Sequence, residues 1–343
     1  MRSWRALRAS PALPGYLLLL GGALVNVIVQ GSDFFSGSNF GSILGVNAPL
    51  VLAAAAQTVV VLTGGIDLSV GSTMTLVNAL AITLANQQHW PVGGSWIAAL
   101  LAATLVGGFN GLVVAYLRIP PLLATFSSMS IVGGLALWIL PKPGGTVPVS
   151  VYTAYGATLL GVPVAGWIIA AVVGLWAIVA RQRLGTYLRA VGGRERSAYA
   201  SGIRTERVKF FAYTFSGLIT GVAGLCLTAL TASGDPKIGL PFTLNSIAAV
   251  ILGGTALSGG WGSIGGSVAG ALFLGLINNI VFFLFRNFIG HLQSLTGVAS
   301  FYQQLLSNMI VILGLASAVL TQRGGLKGTG RKRRGGGMER AEG

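Results

Sequence analysis

The chain has 343 residues, 53% of them hydrophobic and only 8% charged, with a mean hydropathy of +0.77. A water-soluble domain carries roughly 25% charged residues, so this chain cannot clothe a water-facing surface and its bulk belongs in a bilayer. The formal net charge of +15 does not point to nucleic acid, because the Lys and Arg residues are grouped in terminal and loop clusters as the positive-inside rule expects, and nothing aromatic is interleaved with the basic tail RKRR.

A helix crosses the hydrocarbon with about 20 apolar residues. Taken in chain order, such segments fall near 12–30, 43–62, 66–85, 94–117, 120–140, 160–180, 208–231, 243–260, 262–285 and 300–321. Arg2, Arg5 and Arg8 precede the first. Its apolar run reaches about residue 29 with no prompt A-x-A site, so it reads as an uncleaved span rather than a signal peptide. With that basic N-terminus placed in the cytoplasm, alternation puts Arg118, the Arg-rich loop 181–207 and the basic tail on the same side. The opposite loops hold only Lys142, Lys237 and Arg286 as basic side chains.

The expected fold is an all-α polytopic membrane protein of about ten transmembrane helices with both termini cytoplasmic. Glycine pairs leave room for re-entrant or broken helices near 63–70 and 243–265. The expected organisation is a basic cytoplasmic N-terminus over 1–11, one transmembrane domain over 12–321 and a basic, disordered cytoplasmic tail over 322–343. Gly supplies 52 residues, about twice the usual ~7%, and small residues let helices approach closely in lipid. GxxxG spacings at Gly107–Gly111, Gly217–Gly221 and Gly266–Gly270 fit that use.

The stretch 62–72, LTGGIDLSVGS, plants one of only 7 acidic residues in this apolar setting. Gly64-Gly65 is expected to end one helix, and Asp67, with Ser69 beside it, to stand at the N-cap or first turn of the next. Capping is favoured over gating for Asp67, and the two roles are compatible. GGTALS at 253–258 echoes GGIDLS at 64–69, and chance in a Gly-rich chain accounts for the echo as well as a repeat does. Gly260 to Gly265 satisfies G-x-G-x-x-G, but no clear strand precedes it and no acidic residue follows at ~20 residues, so it reads as a membrane turn. There is no P-loop, no legible Ser/His/acid set, and a single Cys226 with His89 and His291 far apart. The chain is therefore expected to bind no cofactor or metal and to be no enzyme.

The polar insertion 181–209 reads RQRLGTYLRAVGGRERSAYASGIRTERVK. Gly192-Gly193 breaks the chain, and a short helix runs from Glu195 to about Ser201, ended by Gly202. Such a helix, with Tyr199 and small residues, suits docking of a cytoplasmic partner.

LTGGIDLSVGS, IPPLLATFSSMSIVGGLAL, AVGGRERSAYASGI, LNSIAAVILGGTALSGGWGSIGG and FYQQLLSNMIVIL together resemble the membrane permease subunits of bacterial ABC importers for simple sugars, the ribose/xylose/galactose permease group. The resemblance runs from about residue 15 to 322. It implies about ten helices, a second permease copy or paralogue, a periplasmic sugar-binding protein, and a separate ATPase pair that holds ATP and Mg. It implies residence in the bacterial inner membrane. It also implies that Gly192, Gly193, Arg194, Glu195, Arg196, Ser201 and Gly202 belong to the coupling helix that the ATPase engages. The chain departs from the group in having Arg194 for a frequent Asn, Thr243-Leu244-Asn245 for an acidic ELD, and no terminal acid after the last span.

The spans carry neutral hydrogen-bonding groups at Asn47, Gln57, Thr58, Asn78, Thr125, Ser127, Ser128 and Asn245, which form a candidate path for a neutral sugar. Almost no charge lies among them, which argues against ion coupling. The alternatives are an ABC permease for branched-chain amino acids or another small solute, and an ion-coupled secondary transporter or channel.

Overall fold

A computed structural model of the chain describes residues 10–288 and Met309. The expected span 300–321, apart from Met309, the tail 322–343 and residues 1–9 of the expected N-terminal segment lie outside the described residues. Residues up to Ile280 make one compact unit, to which the description below applies.

The elements are helical almost throughout. They run α1 (Leu13–Gln30), α2 (Gly37–Leu62), α3 (Val70–Asn86), α4 (Val92–Ala115), α5 (Pro121–Ile139), α6 (Val149–Gly156), α7 (Val164–Arg181), α8 (Arg183–Gly193), α9 (Glu195–Ala200), α10 (Thr205–Thr231), α11 (Leu240–Leu252) and α12 (Ile264–Phe288). Short strands β1 (Gly144–Thr146) and β4 (Ser233–Gly234) pair antiparallel, and β2 (Thr158–Leu159) with β3 (Val162–Pro163) forms a small hairpin.

Among the described residues seven helices are long and apolar enough to cross a membrane, and two more apolar helices, Val70–Asn86 and Leu240–Leu252, are shorter. The chain is thus an all-α polytopic membrane protein. Two expected spans need correction. The segment expected to cross over 243–260 is helical only over the 13 residues of α11, about 20 Å, which falls short of a ~30 Å hydrocarbon core. The segment expected from 66 begins its helix at Val70, because residues 63–69 are unwound.

α2 is the centre of the bundle. Every residue from Asn47 to Leu62 is buried, as befits a helix apolar on all sides. Pro49 sits within it and has no N–H for the Gly45 carbonyl; the Tyr155 hydroxyl of α6 supplies the missing donor at 2.7 Å. The GxxxG glycines mark close helix contacts. A Cβ on Gly217 of α10 would lie 2.6 Å from Ala103 O and 2.9 Å from Gly107 Cα of α4. A Cβ on Gly270 of α12 would lie 2.8 Å from Gly253 N at the end of α11. These backbones touch because no side chain stands between them.

Gly217→Val must therefore push α10 off α4. The expected loss is about 3 kcal/mol, read as a lowered unfolding temperature of the detergent-solubilised protein. Gly134→Ala in α5, where nothing lies within 4 Å, should leave that temperature unchanged.

Candidate functional site

The unwound stretch after α2 organises the interior. α2 closes at the Thr63 C-cap, with Gly64 at φ +82°; Gly64 N donates to Val61 O at 2.9 Å and Gly65 N to Val60 O at 3.3 Å. This paired closure needs a left-handed residue, which glycine adopts without strain. The next backbone groups have no helix to serve them, and away from water each must find a protein partner.

Side chains from three helices supply those partners. Oriented to match the groups it faces, the Gln57 amide of α2 donates to Asp67 O at 3.0 Å and accepts from Asp67 N at 3.2 Å. Thr125 Oγ1 of α5 accepts from Leu68 N at 3.1 Å and shares its proton between Ile66 O at 3.1 Å and Pro121 O at 2.9 Å. Thr243 Oγ1 of α11 accepts from Gly71 N at 3.2 Å and approaches Leu68 O at 3.4 Å.

This geometry corrects the expectation for Asp67. Helix α3 starts at Val70, Ser69 is its cap position without a side-chain cap bond, and Thr243 serves the buried Gly71 N–H of its first turn. The Asp67 carboxylate lies one turn short of that role. Its Oδ1 accepts from Ser69 N at 2.8 Å and from Ser69 Oγ at 2.6 Å. Ser69 Oγ accepts from Asn110 Nδ2 of α4 at 2.8 Å, and Asn110 Oδ1 accepts from Ser128 Oγ of α5. Each hydroxyl and amide points its donor the same way, so the relay ends on the carboxylate, which is only 3% exposed. Hydrogen bonding of this kind offsets the cost of burying a charge.

One further interruption uses the same device, and another repeats the backbone closure. Between β4 and α11, Asn78 Oδ1 of α3 accepts from Asp235 N at 2.9 Å, and its Nδ2 donates to Ser233 O and Thr228 Oγ1, both at 3.0 Å. Thr75 Oγ1 accepts from Gly239 N at 3.0 Å. After α11, Gly254 at φ +85° donates to Ile251 O at 3.0 Å and Thr255 N to Val250 O at 3.1 Å, the closure seen after α2. The GGIDLS and GGTALS stretches therefore both end helices. The left-handed glycine is the first of its pair at 64–65 and the second at 253–254, so the two closures are one residue out of step with the letter match. The G-x-G-x-x-G segment forms the turn into α12, with Ala256 N donating to Trp261 O at 2.9 Å.

The remaining candidate path residues divide by task. Gln57, Asn78 and Thr125 hold unwound backbone, as above. Thr58 and Asn47 donate within α2, to Ala54 O at 2.6 Å and Ile43 O at 2.7 Å. Ser127 lies on the exposed face of α5 and donates to Leu123 O at 2.9 Å. Asn245 is half-buried on α11.

The docking segment has the expected short helix with one correction. Gly192 and Gly193 lie inside the end of α8, and the break falls at Arg194, whose backbone is extended. α9 then runs Glu195–Ala200 and closes with Gly202 at φ +82°, Gly202 N donating to Tyr199 O at 2.9 Å and Ile203 N to Ala198 O at 3.1 Å. Ala198 is its one buried residue, and Tyr199 is 66% exposed. Glu195 reaches Lys209 of α10 at 2.6 Å, and Arg118 lies 3.6 Å from Glu206 across a groove of about 630 Å³ beside α9.

Sequence reasoning missed Ser69 and Asn110 as relay members, Thr75 and Thr243 as backbone clamps, and Tyr155. It also missed an amide cluster in which Gln30 donates to Asn26 Oδ1 at 2.8 Å and to Asn279 Oδ1 at 2.6 Å. Each is a polar residue within or beside an apolar helix, and that placement was the available signal.

Interrupted apolar helices, clamped from inside by neutral side chains, define a polytopic membrane transport domain. Residues 39–315 match the family described as the branched-chain amino acid transport system / permease component, and the chain belongs to that permease family. It is 31% identical over 299 residues to the ribose import permease protein of Haemophilus influenzae, covering 85% of this chain and 88% of the relative. The ribose import permease protein of Escherichia coli K12 is 33% identical over 289 residues, covering 82% and 86%. The fructose import permease protein of Rhizobium meliloti is 32% identical over 287 residues, covering 79% and 78%. These relatives are import permeases, transport components rather than enzymes.

Two substitutions test the relay. Asp67→Asn keeps an oxygen acceptor for Ser69 while exchanging the second, charged oxygen for an amide NH2, an expected cost of about 1 kcal/mol, whereas Asp67→Ala removes both bonds and should cost about 2–4 kcal/mol. Thermal unfolding in one detergent ranks them, and equal effects would contradict the hydrogen-bond account. Gln57→Leu orphans both backbone groups of Asp67, and its expected cost is about 2–5 kcal/mol in the same assay.

Proposed function

We propose that the chain is the membrane permease subunit of an ATP-driven importer and forms the path for a monosaccharide handed over by a periplasmic binding protein. The observation that carries this reading is α9, a closed short helix with one buried residue, tied to the start of α10 by Lys209 and Glu195. An element so exposed, in a chain otherwise devoted to apolar burial, suits engagement by a partner. On this reading the residues from Gly192 to Gly202, with Arg194, Arg196 and Ser201, form the coupling segment, and ATP and Mg reside on a separate ATPase.

The relatives named for ribose and fructose support a neutral sugar as cargo. Neutral hydrogen-bonding side chains suit such a solute. Asn47, Thr58, Ser127 and Asn245 hold no other segment among the described residues; of these Ser127 and Asn245 are not buried, and they are our choice for contact with the sugar. The reading includes about ten spans with both termini in the cytoplasm of a bacterial inner membrane, and a second permease copy or paralogue completing the path. It binds no cofactor of its own.

Reconstitution with the cognate ATPase and binding protein tests the reading. ATP should drive monosaccharide uptake into proteoliposomes without an ion gradient. Uptake that follows an imposed ion gradient and ignores ATP would sink it. Glu195→Lys, which turns the ion pair with Lys209 into a repulsion, should abolish uptake at unchanged membrane levels.

A further inference from the structure

Three interruptions of helix meet at one place with no side chain between them. Leu62 is the last residue of α2, and its carbonyl is one of the orphans that every helix end leaves. Its donor is Gly260 N, at 3.1 Å, from the turn between α11 and α12. A Cβ on Gly259 would lie 2.7 Å from Gly64 Cα and 2.8 Å from Gly192 O. A Cβ on Gly260 would lie 2.7 Å from Gly193 Cα and 3.2 Å from Arg189 O. A Cβ on Gly192 would overlap Leu62 O and lie 2.6 Å from Gly260 N. Gly64, Gly259 and Gly260 all have positive φ, so their backbone conformations as well as their lack of bulk require glycine.

Contact through backbone differs from contact through side chains. A side chain can absorb a displacement by changing rotamer, whereas tightly packed main chain transmits it. The link between α8 and α9 cannot shift without moving the end of α2 and the turn before α12. From the end of α2 the shift reaches Asp67 through Gln57, and α4 and α5 through the relay of Ser69, Asn110 and Ser128.

We infer that Gly64, Gly192, Gly259 and Gly260 form a joint through which α9 moves both helix breaks together, making them positioning residues for transport. The inference rests on α9 being the element that the ATPase engages. A claim of transmission requires that the joined elements respond together to one effector.

The test uses the assembled importer, with its ATPase and binding protein, in nanodiscs. Hydrogen exchange is compared with and without a non-hydrolysable ATP analogue. In the native protein the analogue should change exchange over 192–200, 60–67 and 256–262. In Gly192→Ala it should change 192–200 alone. In proteoliposomes that variant should lose about tenfold in uptake, the size of an ordinary coupling between sites. Its ATPase should co-purify in native amount. Gly174→Ala in α7, with nothing within 4 Å, should transport as the native protein does. A native response over 192–200 without one over 60–67 and 256–262 overturns the joint and leaves docking intact. So does native uptake by Gly192→Ala. No response over 192–200 overturns docking and the joint together. Should Gly192→Ala fail to accumulate, the native exchange pattern decides.

Discussion

The structure depends on one constraint: a backbone that leaves helical geometry inside a membrane domain must find hydrogen-bond partners in the protein itself. Water cannot serve there, and an unpaired peptide group costs several kcal/mol. Among the described residues, non-helical stretches packed against the bundle include 63–69, 232–239 and 253–263. The first two departures draw polar side chains out of neighbouring helices. Gln57, Thr125 and Thr243 converge on the first and Asn78 and Thr75 on the second, whereas the third is held by its own Thr255, which accepts from Ser263 N at 3.3 Å.

That constraint changes what polar residues in these spans mean. A neutral side chain in an apolar helix invites assignment to a solute path, because a sugar needs such groups. Most here are engaged by the protein's own main chain. The engagement also explains why they are Gln, Asn and Thr rather than charged residues. An amide can serve a C=O and an N–H at once, as Gln57 does with Asp67, and a hydroxyl can do the same with two peptide groups, as Thr125 does. A carboxylate could serve only the donors. Asp67 is consistent with this, since the two groups bonded to its Oδ1 are both donors from Ser69.

What could be read from the sequence was local, and what could not was distant. The apolar segments, the helix closures at Gly64 and Gly202, and the short helix from Glu195 depend on a few adjacent residues. The start of α3 does not. Its first-turn N–H is served by Thr243, 172 residues away, so an Asp three residues before the helix looked like the cap. The length of α11 was misread for a related reason. No charged residue interrupts the chain through 253–260, although Gly254, Gly259 and Gly260 adopt positive φ and the helix ends at Leu252. The GxxxG pairs were legible as close-packing positions, but their partners were not, because spacing on one helix does not say which other helix fits it.

The glycines make the final connection between architecture and work. Within a helix a glycine in place of alanine costs about 1 kcal/mol, so a chain with 52 glycines, many of them inside its helices, carries a standing penalty that something must offset. At Gly107 and Gly217 the offset is helix packing, and substitution there would separate two spans. At Gly64, Gly259 and Gly260 packing between helices is not the reason, since these residues lie beyond helix ends. Their absent side chains let two unwound segments and the last turn of α8 share one small volume, with a hydrogen bond from one break closing the open end of α2. An arrangement serving stability alone could have ended each helix separately with its own cap. Joining the ends leaves the bundle with a single place where displacement of the exposed α8–α9 link is felt by α2 and by the turn into α12.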